Sequence, residues 1–313
     1  MKIAVDILQA LLLIMGAPLV RGIIARLKAR LQRRQGANIW RPYADLFKLF
    51  RKEDLIPPTS SVVFRIAPLL LFGSTVCVAA FVPVVHVSAL LASRGDFFLL
   101  VYLLALGRFF LSLGALDGGS AFGGMGASRE ALVSSLSEAP FLLSLVALAI
   151  LASRADIAGM VGWTLQQNFF DISAVHILAF ASIAMVLLAE TGRMPVDNPT
   201  THLELTMIHE GMVLEYSGPS LALTEWASAI KLHAMLALLI AFFGPWGMAS
   251  GGSGWGIPVA LLLFCSKIAL LMVFLSVMES AVAKLRMYLV PDFLGVASAV
   301  SALAVIFTML VKR

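Results

Sequence analysis

The sequence is short of charge, short of cysteine, and empty of the alternating pattern that a β-barrel needs. Only 13% of its 313 residues are charged, against about a quarter in an ordinary soluble chain. A hydrophobic share of 60% and a mean hydropathy of +0.95 leave too little polar surface to coat a globule. A transmembrane barrel would alternate apolar and polar residues, whereas the apolar runs here are continuous, so helices are the spanning element. The two cysteines, Cys77 and Cys265, sit in separate apolar runs without a CxxC partner. That excludes four-thiolate cluster ligation and a zinc site within the chain. A disulfide between them stays open beside the plainer reading, in which both thiols pack as small hydrophobes.

Two further absences narrow the function. The glycine-rich run 117–126 lacks a Gly-Lys-Ser/Thr ending and is not a Walker loop. It reads instead as a flexible loop leading to a helix capped by Ser128. The pair His209-Glu210 begins like a metalloprotease motif, but Val213 stands where the second histidine is needed. No metal site is expected in this chain.

What is present is a series of apolar runs of about 18 or more residues, each able to cross ~30 Å of hydrocarbon. They fall near 3–20, 66–85, 97–115, 132–152, 172–190, 229–247, 257–279 and 293–311. The expected fold is an all-α polytopic membrane protein of about eight transmembrane helices, one membrane domain over residues 1–313. The first run follows Lys2 as a signal peptide would, but its positive charge lies mainly after it and no small-residue cleavage pattern is seen. Eleven of the 23 basic residues lie between 21 and 65, which holds that loop inside and both termini outside the cytoplasm. Segments 21–65, 116–131, 191–228 and 280–292 then face the cytoplasm.

The first of these begins as a basic helix, 26–34, breaking at Gly36. A second short helix follows, with Pro42 in its first turn, where the missing N–H is harmless. Tyr43, Leu46, Phe47 and Phe50 recur at helical spacing opposite Asp45, Lys48, Arg51 and Lys52. This is an amphipathic helix suited to anionic headgroups. The charge serves as a positive-inside anchor or as a dock for a peripheral protein. For docking the candidates are Arg30, Arg33, Arg34, Tyr43, Asp45, Lys48 and Arg129.

The segment 190–225 carries the most chemistry. It holds six carboxylates (Glu190, Asp197, Glu204, Glu210, Glu215, Glu225), two histidines (His202, His209) and one base, Arg193. Asn198-Pro199 offers a helix start, so a short helix is expected over about 199–214 with both histidines on one face. Crowded carboxylates at a membrane surface repel one another, which suits proton relay. Glu138 precedes Pro140, where a kink would expose backbone carbonyls. Arg108, Glu190, Lys267 and Glu279 lie in or at the ends of apolar spans, where charge is costly and turns to a polar interior. Two readings stay open for each, static ion pairing and membership of an ion path.

Four blocks resemble a known family. They are Leu31-Gln-Arg-Arg-Gln-Gly-Ala-Asn with Tyr43-Ala-Asp-Leu-Phe-Lys-Leu, Gly126-Ala-Ser-Arg-Glu, Ala189-Glu-Thr-Gly-Arg-Met-Pro-Val-Asp, and Leu214-Glu-Tyr-Ser-Gly. In order and spacing they resemble the H-type membrane component that respiratory complex I shares with the membrane-bound group 4 [NiFe] hydrogenases. Where the complex I pattern is rich in glutamate, Thr200 and His202 stand here, Glu204 remains, and about three extra residues precede Glu215. That stretch is similar to the hydrogenase 4 component C and formate hydrogenlyase branch. The resemblance implies a membrane component without its own redox cofactor. It also implies cytoplasmic partners, a hydrogenase-like large subunit and an iron–sulfur small subunit, carrying a [NiFe] centre and [4Fe-4S] clusters. Antiporter-like subunits would lie beside it in a bacterial inner membrane, with both termini periplasmic and no nucleic acid involved. The Glu190 to Glu225 segment would couple redox change to proton or sodium movement. The alternative is the quinone-site component of complex I. A stand-alone transporter is a third reading, and the halves show no inverted repeat to support it.

Overall fold

A computed structural model describes residues 2–93, 95–168, 173–197, 207–249 and 256–311; of Lys2 and Val311 it describes the backbone alone. Among the described residues eleven α-helices run in order as α1 Lys2–Leu31, α2 Arg41–Phe50, α3 Val62–Phe81, α4 Phe97–Asp117, α5 Ala121–Ala152 and α6 Ile157–Gln166. They continue as α7 Ala174–Glu190, α8 His209–Val213, α9 Gly218–Phe243, α10 Gly256–Ala281 and α11 Val290–Val311. Among the described residues seven helices are long and apolar enough to cross a membrane, and α7 is a shorter apolar one. At 17 residues, α7 reaches about 25 Å and ends on Glu190. These eight match the expected spans, and the chain is a multi-pass membrane protein.

The loops sort to two ends. At one end the segment after α3 meets the α9–α10 connection through Ala249 N–H to Val85 O, 2.8 Å. The α3–α4 and α5–α6 connections meet there as well, through Phe97 N–H to Ala155 O, 3.1 Å. The other, basic end carries α2, α8 and the close of α1. The most buried helix is α9, which packs against α1, α2, α3 and α7, while α11 closes the side formed by α5 and α7.

Three helices extend further at the basic end than hydropathy alone places them. The basic stretch is the continuation of α1 to Leu31 rather than a separate helix, because Lys28 reaches back to Glu279 of α10. The glycine run is helical too. Ser120, not Ser128, caps α5 by accepting from Gly123 N–H, and the Ser128 hydroxyl donates to Met125 O inside the helix. Close packing explains Gly123 and Gly126, since a Cβ there would stand 2.5 Å from Ala115 O and 2.9 Å from Ile208 O respectively. The third extension is α9, which starts at Gly218 with Pro219 in its first turn.

Proline is tolerated inside α1, α3 and α5. Pro18 has no N–H to offer Ile14 O, and its ring crowds the preceding turn. Three side chains take up the carbonyls there. His233 Nδ1 stands 2.9 Å from Leu13 O, Trp226 Nε1 donates to Ile14 O at 3.1 Å, and the Tyr43 hydroxyl donates to Met15 O at 2.5 Å. Pro140 leaves α5 continuous from Ala121 to Ala152. Cys77 and Cys265 are free and exposed on helix faces, so the expected internal packing of both thiols is corrected.

Candidate functional site

Glu190 stands at the point where four helices converge. It is 6% exposed, as is Arg108, and Lys231 is 9% exposed. Arg108 of α4 donates to Glu190 Oε1, which also accepts from the Ser137 hydroxyl of α5 at 2.7 Å. Lys231 Nζ of α9 lies 3.0 Å from the other oxygen, paired by charge. A carboxylate in a bilayer is costly alone; here two cations and a hydroxyl surround it.

A second carboxylate is held the same way. Glu279 of α10 lies between Arg193 Nη1 at 3.0 Å and Lys28 Nζ at 3.1 Å. Burial works against the Arg193 charge and lowers its pKa from the usual value, while Glu279 opposes that. Lys284 Nζ pairs with Asp197 at 2.6 Å, and Arg21 pairs with Glu225. The turn 191–197 therefore fastens α7 to α10, helped by Leu285 N–H to Pro195 O at 2.8 Å.

These groups border a cavity of about 70 Å³. Its charged lining balances, with Arg21, Arg108, Arg193 and Lys231 facing Glu130, Glu190, Asp197 and Glu210. His209 also lines it. The volume admits a few water molecules, whose liquid share is about 30 Å³ each, and the polar walls supply their partners. Arg108 Nε and His209 Nε2 are buried without a hydrogen-bond partner among the described residues. The arrangement can pass a proton between carboxylates along water. It can also hold a cation transiently, although no cluster of three or more metal-ligating side chains occurs among the described residues.

The structure thus gathers Arg108, Glu190, Arg193, Asp197, His209 and Glu210 around one cavity, with Glu225 and Glu279 attached through Arg21 and Arg193. His202 and Glu204 fall outside the described residues, with the first half of the helix expected over 199–214; the second half contains α8, His209–Val213. Glu138 is half-buried next to Ser137 and does not line the cavity. Glu215 lies beside Gly118, its Cγ 3.5 Å from where a Cβ would sit. The neighbouring Tyr216 stacks on Phe64 at 4.2 Å, and burial raises its hydroxyl pKa, with Asp117 adding to the rise. Lys267 belongs to the opposite end, where its Nζ donates to Gly244 O at 2.7 Å and to Trp246 O, capping the close of α9.

Among the docking candidates Arg30, Arg33, Arg34, Asp45 and Lys48 are exposed. Arg129 is turned inward, donating to Met207 O at 3.0 Å, and Tyr43 is tied to α1. Sequence reasoning passed over Lys231, Lys28, Lys284 and Ser137. Lys231 left a signal, a lone lysine inside the apolar run 229–247; Lys28 and Lys284 were hidden among ordinary inside-positive charge.

Fold and site together define a class, a polytopic helical membrane protein with a buried charge network at its basic end. Within that class the chain belongs to the NADH dehydrogenase family, NADHdh, whose pattern matches residues 3–310. It is 35% identical over 299 residues to hydrogenase-4 component C of Escherichia coli strain K12, covering 96% of this chain and 93% of that protein. It is 32% identical over 295 residues to formate hydrogenlyase subunit 4 of the same strain, covering 93% and 94%. With the H component of the NADH-quinone oxidoreductase of Paramagnetospirillum magneticum the identity is 30% over 253 residues, covering 77% of this chain and 71% of that one. The fold is shared with a chain of the membrane-bound sulfane sulfur reductase, an archaeal respiratory membrane complex. There the TM-score is 0.83 at 21% identity, covering 97% of this chain and 99% of that one.

Proposed function

We propose that this chain is the membrane-anchoring, ion-coupling subunit of a group 4 [NiFe] hydrogenase-type complex of the formate hydrogenlyase kind. One observation carries the coupling role: Glu190 is buried between Arg108 and Lys231 at the wall of a polar cavity that Glu130, Asp197 and Glu210 also line. A carboxylate held by two cations gives up or takes a proton when either cation shifts, because the shift changes which protonation state is favoured. Movement of the 191–197 turn reaches Glu279 through Arg193 and Lys284 through Asp197. A redox-driven push on that turn from a cytoplasmic iron–sulfur subunit is therefore a means of moving protons or sodium ions.

The partners of this reading are a hydrogenase-like large subunit and an iron–sulfur small subunit that carry the [NiFe] centre and [4Fe-4S] clusters. They dock on the basic end over Arg30, Arg33, Arg34, Asp45 and Lys48, with antiporter-like subunits alongside in the bilayer. The whole chain acts as one membrane domain in a bacterial inner membrane, termini on the periplasmic side. Copurification through an affinity tag tests the partners; recovery of the chain alone, active on a substrate of its own, would overturn the proposal.

A second reading, the quinone-site component of complex I, draws on the NADH-quinone oxidoreductase relatives and on a groove of about 330 Å³ between α1, α2 and α9. It predicts quinone-dependent turnover of the native complex. Hydrogen or formate chemistry insensitive to quinone-site inhibitors supports the first.

A further inference from the structure

At the end of the bundle opposite the charge network, α6, α7 and the close of α9 surround a second cavity, of about 260 Å³. Phe180, Phe243 and Trp246 supply aromatic walls, with Phe180 and Phe243 edge to face at 5.3 Å. Thr164 and Gln167 form its α6 side. Ile177 and Phe180 are 61% and 40% exposed, so the cavity opens sideways on the apolar outer face of the helix bundle.

One group in this lining has unfinished chemistry. His176 is 7% exposed, and its ring stacks on Trp163 at 5.7 Å with the planes nearly parallel. Its Nδ1 is 3.1 Å from the Ser173 hydroxyl, while Nε2 is buried with no hydrogen-bond partner among the described residues. Leaving such an atom unpaired is costly. If the Ser173 hydroxyl donates to Nδ1, the neutral ring carries its proton on Nε2 and needs an acceptor there.

Depth selects the acceptor. His176 and Phe180 stand roughly 3 Å and 9 Å along α7 from its start at Ala174. With the membrane boundary at this end taken at the start of that apolar span, the cavity lies level with the zone where phospholipid headgroups give way to acyl chains. We propose that it takes one acyl chain of a phospholipid, the chain lying against Phe180, Phe243 and Trp246 and its ester carbonyl accepting from His176 Nε2. The site is independent of the charge network and of any ion coupling.

Two experiments on the assembled complex in liposomes test this. A photoreactive amino acid placed at the exposed position Ile177 reports what occupies the opening. The expected product is a phospholipid adduct; an adduct to another protein subunit, or no lipid adduct at all, overturns the proposal. Competition between ester-linked and ether-linked phosphatidylethanolamine of matched chains then reads the carbonyl contact without altering the protein. Ester lipid should win by about fivefold, the worth of one hydrogen bond. Equal capture of the two, or a preference unchanged in His176→Phe, contradicts the role of Nε2.

Discussion

At the residue scale, Glu190 is the group on which most depends. Glu190→Gln keeps the shape and leaves Arg108 and Lys231 facing each other without a counter-charge. Removing one member of a buried ionic set costs about 3–5 kcal/mol, so thermal unfolding in detergent should shift clearly downward. Pairing it with Lys231→Met should recover a large part of that loss; additive losses would show that Lys231 is not the partner. Lys267→Met makes the contrasting case. It should cost about 1–3 kcal/mol through the freed carbonyls of Gly244 and Trp246, yet leave ion transport per turnover unchanged. A selective transport defect in that variant would return Lys267 to the ion path. The sequence distinguished neither role, because both residues read as isolated charges in apolar runs. Only the meeting of α4, α5, α7 and α9 separates a network member from a helix cap.

At the element scale, hydropathy located the spans but not their ends. It counts apolar residues, and the extensions of α1, α5 and α9 at the basic end are polar or glycine-rich helix that tertiary packing holds. The glycine run reads as a loop because glycine is a poor helix former; in place, it lets α5 approach Ile208 and Met212. The cap at Ser120 should therefore matter more than Ser128. Ser120→Ala should lower stability by about 1 kcal/mol and Ser128→Ala by less, as thermal unfolding would show. Gly218 is a second such joint. Its φ is +47° and a Cβ would fall 2.4 Å from Glu53 O, backbone against backbone. Gly218→Ala should loosen the contact between α9 and the segment after α2, seen as faster proteolysis there; unchanged proteolysis would mean that this contact is dispensable.

At the scale of the whole molecule, charge asymmetry assigned one end to the cytoplasm, and the structure sorts the loops into two ends in the same way. A membrane-impermeant thiol reagent applied from the periplasmic side should label Gln166→Cys and spare Arg33→Cys, with the reverse in inverted vesicles. The motif blocks made the membership legible, since each lies where helices meet at the basic end. What the sequence could not display was partnership: Glu190 meets Arg108 from 82 residues away and Glu279 meets Lys28 from 251. The central claim is that this network couples redox turnover to ion movement. Its most direct test is the ratio of ions transported to electrons transferred by the complex in proteoliposomes, comparing the parent with Glu190→Gln. The account predicts an assembled complex whose peripheral redox chemistry persists while the ratio falls by about tenfold or more. An unchanged ratio would reduce the network to structural ion pairing and contradict the account.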